Sequence, residues 1–148
     1  MVEVLPLSLD EVRITAVMMA KRLYAEYDAP IPDFDTRPKG KLEACLAQPF
    51  HSYGGEELYP ELINKAAIFF YVMVKDHPLE NGNKRVAVAS LLLFLEKNGY
   101  TFRLHSGEIL TLAVAVAESR TMDDTMIYIT EFIEGHIIEQ GDSGQEAA

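Results

Sequence analysis

Three things are scarce in this 148-residue sequence: cysteine, positive charge and unbroken apolar runs. The single cysteine, Cys45, excludes an intramolecular disulfide and suits a reducing cytosol. Thirteen Lys and Arg stand against 23 Asp and Glu, a formal charge of -10. Such a balance argues against a broad nucleic-acid footprint, which needs a basic face to release counterions from phosphates, so any phosphate handling has to be local. No run approaches the roughly 18 uncharged apolar residues of a membrane span, and no basic-then-apolar leader opens the chain. Neither membrane insertion nor secretion is expected, and the expected location is cytoplasmic. What is present is 49% apolar residues, enough at this length for one well-covered core. The reading is a single domain over residues 1–139, with a Gly/Ser/Glu-rich tail, 140–148, expected to be disordered.

The patterning is helical almost throughout, and the expected class is all-α with about six helices. Ser8-Leu9-Asp10-Glu11 has the form of a capping box. Behind it Leu9, Val12, Ala16, Met19, Ala20 and Leu23 share one face, which predicts an amphipathic surface helix ending near Tyr27. Asp28 to Gly40 holds three of the seven prolines and reads as a loop. A short helix is predicted from Lys41 to Gln48, stopped by Pro49. In Glu61 to Asp76 and Asn83 to Gly99 the apolar residues surround the helix axis, so this pair is expected to be buried on most sides. Tyr100, Phe102 and Leu104 alternate with polar residues and suggest a short extended piece. Helices at Gly107 to Ser119 and Asp123 to Glu139 complete the set.

The densest polar cluster, Asp76 to Arg85, stands directly in front of one of the buried helices. A helix N-terminus presents free N–H groups and the positive end of the dipole, a prepared anion site. Gly82 lets backbone approach a ligand closely, and Arg85 adds a fork of donors matched to phosphate. Cations in a first helical turn meet the positive dipole end, a penalty that a bound anion removes. His77, six residues before Asn83, is the side chain best suited to take a proton near neutral pH. His51, His105 and His136 show no ligand spacing, and no paired-cysteine or H-E-x-x-H pattern exists, so zinc is not expected.

The nine residues His77-Pro78-Leu79-Glu80-Asn81-Gly82-Asn83-Lys84-Arg85 resemble the signature of the Fic/Doc family: histidine, proline, phenylalanine, any residue, an acid, glycine, asparagine, glycine or lysine, arginine. Six positions agree. The lysine and the short chain are most similar to the Doc (death-on-curing) toxins of toxin-antitoxin systems. LEACLAQPF, the Gly-Gly segment ending in ELYP and FLEKNGY are similar as well, so the resemblance spans roughly Ser8 to Glu139.

The resemblance implies a Fic/Doc fold around the buried pair, with a short β-hairpin-like flap at Ser52, Tyr53, Gly54 and Gly55 that holds a target peptide by strand addition. It implies that His77 is the general base, that Gly82, Asn83, Lys84 and Arg85 receive the phosphates, Asn83 adding its side chain, and that Leu79 anchors the loop in the core. ATP and Mg²⁺ would be the cofactors. The family's metal-binding acid is replaced by Asn81, a neutral amide that suits a hard cation less well. Glu80 stands one residue too early and substitutes only if the loop shifts. Thr130, Glu134 and Gly135 match a Ser/Thr-x-x-x-Glu-Gly/Asn pattern by which some Fic proteins or their antitoxins block the nucleotide site, although the match falls in an expected core helix. The implied activity is transfer of phosphate from ATP to a Ser, Thr or Tyr hydroxyl of a target protein, with elongation factor Tu the implied target and a cognate antitoxin the implied partner. Adenylylation is the alternative chemistry. A catalytically silent binding module, its metal site lost through Asn81, is the alternative of another class.

Overall fold

Ser8 is the N-cap of the first helix: its hydroxyl accepts from the Glu11 amide at 3.1 Å, and the Glu11 carboxylate accepts from the Ser8 amide at 2.9 Å. The helix so capped, α1, runs over residues 9–23 in three segments: an α-turn Leu9–Glu11, a π-helical stretch Val12–Ala16 and an α-helix Val17–Leu23. The computed structural model describes residues 3–23, 37–79, 82–103 and 106–140. The predicted end of α1 near Tyr27 and most of the predicted loop lie outside these residues, as does the tail from 141 onward. Val12, Ala16, Val17 and Ala20 bury the inner face of α1 against the core, while Arg13 and Arg22 reach solvent.

Among the described residues five further α-helices follow: α2 (Lys41–Ala47), α3 (Leu62–Lys75), α4 (Asn83–Lys97), α5 (Ser106–Glu118) and α6 (Met122–His136). The α-helical hydrogen bonding of α2 ends at Ala47 with Gln48 as its C-cap, just before Pro49 as predicted, and Pro49 sits inside a 3₁₀ turn, Gln48–Phe50, where its missing N–H is not required. The predicted buried pair is α3 and α4. In α3 residues 65–70 and 72–74 are buried, and in α4 residues 85–91 are, together with Phe94 and Leu95. Phe69 and Phe94 meet across the pair with ring centroids 5.5 Å apart. Each such side chain contributes about 1.5–3 kcal/mol by leaving water. Against α3 pack α2 and α6, against α4 pack α1 and α5.

The strands among the described residues are two small antiparallel pairs: β1 (Ser52–Tyr53) with β2 (Glu56–Glu57), and β3 (Tyr100–Phe102) with β4 (Ile137–Glu139). Gly99, at φ +90°, ends α4 and turns the chain into β3. The predicted last helix, Asp123 to Glu139, therefore ends three residues early: Ile137–Glu139 leaves the helix to pair with Tyr100–Phe102. The Arg103 amide donates to the His136 carbonyl and the Gln140 amide to the Gly99 carbonyl, which closes the ladder at both ends. The fold is mainly α, as expected. Among the described residues no helix is long and apolar enough to cross a membrane.

Candidate active site at the start of α4

The connection between α3 and α4 is determined from several directions. Asp76 caps α3, its amide donating to the Val72 carbonyl at 2.9 Å. Pro78 disfavours helical backbone at the residue before it, and His77 takes the left-handed conformation, φ +49°, the one non-glycine residue to do so among those described. That conformation costs on the order of 1–2 kcal/mol and has to be held by its surroundings. Leu79 is 5% exposed and plugs the loop into the core, as the resemblance implied. Asn83 holds the same residue by its backbone: its Oδ1 accepts from the Leu79 amide at 2.8 Å and its Nδ2 donates to the Leu79 carbonyl at 3.0 Å. Gly82, at φ +77°, is the N-cap of α4. The first rung of the helical ladder runs from the Val86 amide to the Gly82 carbonyl, so the amides of Asn83, Lys84 and Arg85 precede the ladder at the positive end of the helix.

His77 and Asn83 come together: Nδ1 of the exposed imidazole lies 3.4 Å from Asn83 Nδ2. Because Asn83 Oδ1 is engaged by Leu79, its Nδ2 faces the ring as a donor. This favours the tautomer with a bare Nδ1 and the proton on Nε2. A ring that takes a proton at Nε2 must carry its own on Nδ1, so the contact has to be released before the imidazole acts; at 3.4 Å it is long and weak. Lys84 is exposed and Arg85 is 5% exposed, both in a first turn that contains no acid. Asn83 thus has its side-chain amide committed to the loop backbone, a clamp that sequence reasoning missed. The four-residue spacing from Leu79 is its only trace in the sequence.

The two positions to which the resemblance assigns the metal, Asn81 and Glu80, lie outside the described residues. Among the described residues no group of three or more His, Cys, Asp or Glu side chains could hold a metal ion. His105 lies outside them too, His51 is exposed, and His136 has its Nδ1 2.7 Å from the Phe132 carbonyl. Cys45 is buried beside Val72, and burial, aided by the charge of Asp76, pushes its thiol up to about 12, so it stays a neutral core residue.

The predicted flap is a two-residue hairpin. Gly54 and Gly55 both have positive φ, +60° and +84°, the requirement of a turn that matches strand twist. Ser52 pairs with Glu57 and Tyr53 with Glu56, and all six residues of the hairpin are exposed. Its base is tied to α3 by Lys65, which is 2% exposed: Nζ bonds Glu57 Oε1 at 2.8 Å and the Tyr59 carbonyl, and lies 5.2 Å from the Phe50 ring centroid. Sequence reasoning passed over Lys65, the one cation well inside the apolar run of Glu61 to Asp76. With a rise of about 1.5 Å per residue, Lys65 and the end of α3 at Lys75 are roughly 15 Å apart. The anchor of the flap and the loop of His77 therefore belong to opposite ends of α3.

Thr130, Glu134 and Gly135 lie on α6, Thr130 half-buried and the other two exposed, with Ile133 between them in the core. Thr130 and Glu134, with Met126, Ile127 and Glu131, form one wall of a groove of about 530 Å³. The other wall is Leu58 to Pro60, just past the flap, and Asn64. The suspected inhibitory motif thus faces the flap end of α3.

Comparison with known proteins adds a family to this geometry. Residues 6–95 match the Fic/DOC family. A Toxin Doc of Mycolicibacterium smegmatis (strain ATCC 700084 / mc(2)155) is 37% identical over 67 residues, which cover 45% of this chain and 52% of that protein, so the match spans about half the length of the curated relative. No solved structure matches. A family match over more than half the chain, on a mainly helical fold whose histidine loop opens the buried helix α4, means that this protein belongs to the Fic/Doc family.

Proposed function

We propose that this protein is a Doc-like toxin that transfers a phosphate group from ATP to a hydroxyl of a protein target. The observation that carries the reading is His77, held in a left-handed conformation by a clamped loop at the N-terminus of a buried helix. The residue types fit a phosphate chain: the first turn of this helix holds Lys84 and Arg85 at the positive end of the dipole and no acid.

The residues divide the work as follows. The amides of Asn83, Lys84 and Arg85 bind phosphate oxygens and neutralise charge that grows during transfer. His77 Nε2 takes the proton of the target hydroxyl as its oxygen bonds to the terminal phosphorus, and the bond from that phosphorus to ADP breaks in line. Asn83 keeps Leu79 in the core and so sets where His77 stands. Magnesium, when bound, would offset charge between the phosphates, with Asn81 or Glu80 as the candidate ligands. The flap offers two short exposed strand edges to an extended target segment. The name of the matched relative supports a toxin, and the resemblance to Doc adds a neutralising antitoxin as partner and makes elongation factor Tu, in the cytoplasm, the first target to try.

Lys84 favours phosphate over nucleotide transfer. Adenylylating relatives have a glycine at this place, and a lysine fills the space that the inner phosphates would take. With ATP labelled separately at the α and γ positions and added with Mg²⁺ to a cytosolic extract, only γ label is expected on protein. Incorporation of α label assigns the protein to adenylylation; label from neither leaves a binding module without turnover.

A further inference from the structure

Lys65 is out of place by the logic of its own helix. Its neighbours Ala66 to Phe70 are buried apolar side chains, and an ammonium taken out of water is favourable only where it is fully paired. Every partner it has in the structure comes from one short segment: Phe50 ahead of β1, Glu57 in β2, and Tyr59 just after β2. The cation therefore grips the hairpin on both of its legs. Side chains alternate along a strand, so tying Glu57 to α3 also decides which face of the hairpin turns toward the core and which way its strand edges point. The same bonds fix Tyr59, a wall of the groove opposite Glu131 and Glu134.

We propose that Lys65 is the positioning residue of the flap: its buried charge sets the orientation of the β1–β2 edge, and through it the affinity for the protein acceptor, without touching nucleotide or acceptor. This rests on the reading that the flap receives the target. Lys65→Met keeps the aliphatic stem and removes the charge. Amide exchange over residues 51–59 is expected to rise about tenfold or more, while exchange in α3 and α4 and the affinity for ATP stay as in the wild type. KM for the acceptor purified by γ labelling is expected to rise about tenfold with kcat at saturation little changed. Lys65→Arg, which keeps a cation, should recover part of the loss. Glu57→Gln, which leaves Lys65 its bonds to Tyr59 and Phe50, should show a smaller version of the same pattern. Should Lys65→Met fail to fold, Lys65→Arg and Glu57→Gln supply the same readouts. Unchanged exchange over 51–59, or a rise shared evenly with α3 and α4, overturns the proposal, since Lys65 would then serve packing alone. A local rise with an unchanged acceptor KM instead leaves the anchor standing and removes the flap from target binding.

Discussion

The two ends of α3 are held by opposite strategies. At the C-terminal end the backbone at residues 76–79 and 82–83 is fixed by proline chemistry, a buried leucine, two hydrogen bonds made by one side-chain amide and a left-handed glycine. At the N-terminal end six exposed residues form a hairpin too short to be stable alone, and the chain holds it only at its base. The contrast is what the proposed function would ask of each end. Placing an imidazole for in-line transfer tolerates errors well under an ångström, so its loop has several independent restraints. Accepting a strand from another protein requires unpaired edges, and restraints applied along those edges would occupy them.

The sharpest test of the division is His77→Ala. Loss of the base is expected to lower transfer by about a hundredfold or more. Because the ring is exposed, thermal stability should stay within about 0.5 kcal/mol of the wild type, and acceptor affinity, governed at the other end of α3, should not move. Transfer that survives the substitution would take His77 out of the chemistry. Asn83→Ala comes next and affects both properties. It leaves the buried Leu79 amide and carbonyl without their partners, at a cost of about 2–4 kcal/mol. Assayed well below the melting temperature, transfer should still fall by about tenfold or more, because the loop that carries His77 has lost its clamp. A decline in activity that merely tracks the unfolded fraction would mean that the loop is not independently restrained.

A smaller effect is expected at the other end. In the turn, Gly55 stands at φ +84° with nothing within 4 Å of where a Cβ would sit, so Gly55→Val meets conformational strain and no clash. The cost is about 1–2 kcal/mol, confined to the hairpin. Acceptor KM should rise a few-fold and ATP affinity should stay unchanged. Gly54→Asn, at φ +60°, should be nearly silent, since asparagine tolerates the left-handed region. An effect of Gly55→Val on ATP affinity would break the separation between the two ends.

The same contrast explains how much was legible in the sequence. The capping box, the buried pair, the Gly54-Gly55 turn and the start of α4 at Asn83 are specified by residues within a few positions of one another, and each was read correctly as to its place. What escaped depended on partners distant in the chain or on burial. Ile137–Glu139 continues the apolar spacing of α6, and only the presence of Tyr100–Phe102 beside it draws it into a strand. Lys65 stands in a helix read as buried on most sides, but nothing local says that Glu57 and Tyr59 come to pair its charge. The two bonds of the Asn83 side chain to Leu79 escaped as well, because a residue type that also suits a ligand does not show which loop it clamps.

The last prediction supplies a control outside both the flap and the loop of His77. Glu11, on α1, accepts from Lys97 Nζ at 2.7 Å and ties α1 to the C-terminal end of α4. Burial alone would raise its pKa, but the hydrogen bonds from Lys97 and Ser8, with the charge of Lys97, outweigh it and bring the carboxyl below its ordinary 4.5. A carboxyl lowered in the folded state binds fewer protons there than in the unfolded chain. Its stabilisation is therefore present above about pH 4.5 and is lost as pH falls through the lower folded value. Glu11→Gln should accordingly lower the melting temperature slightly at neutral pH and make no difference in strong acid, where the wild type has already lost the charge. The side chain is 35% exposed, so solvent screening keeps the effect small. At neutral pH neither transfer nor acceptor KM should change. If either did, restraint would be passing through α4 from its far end, and the two ends of α3 could no longer be treated as separately held.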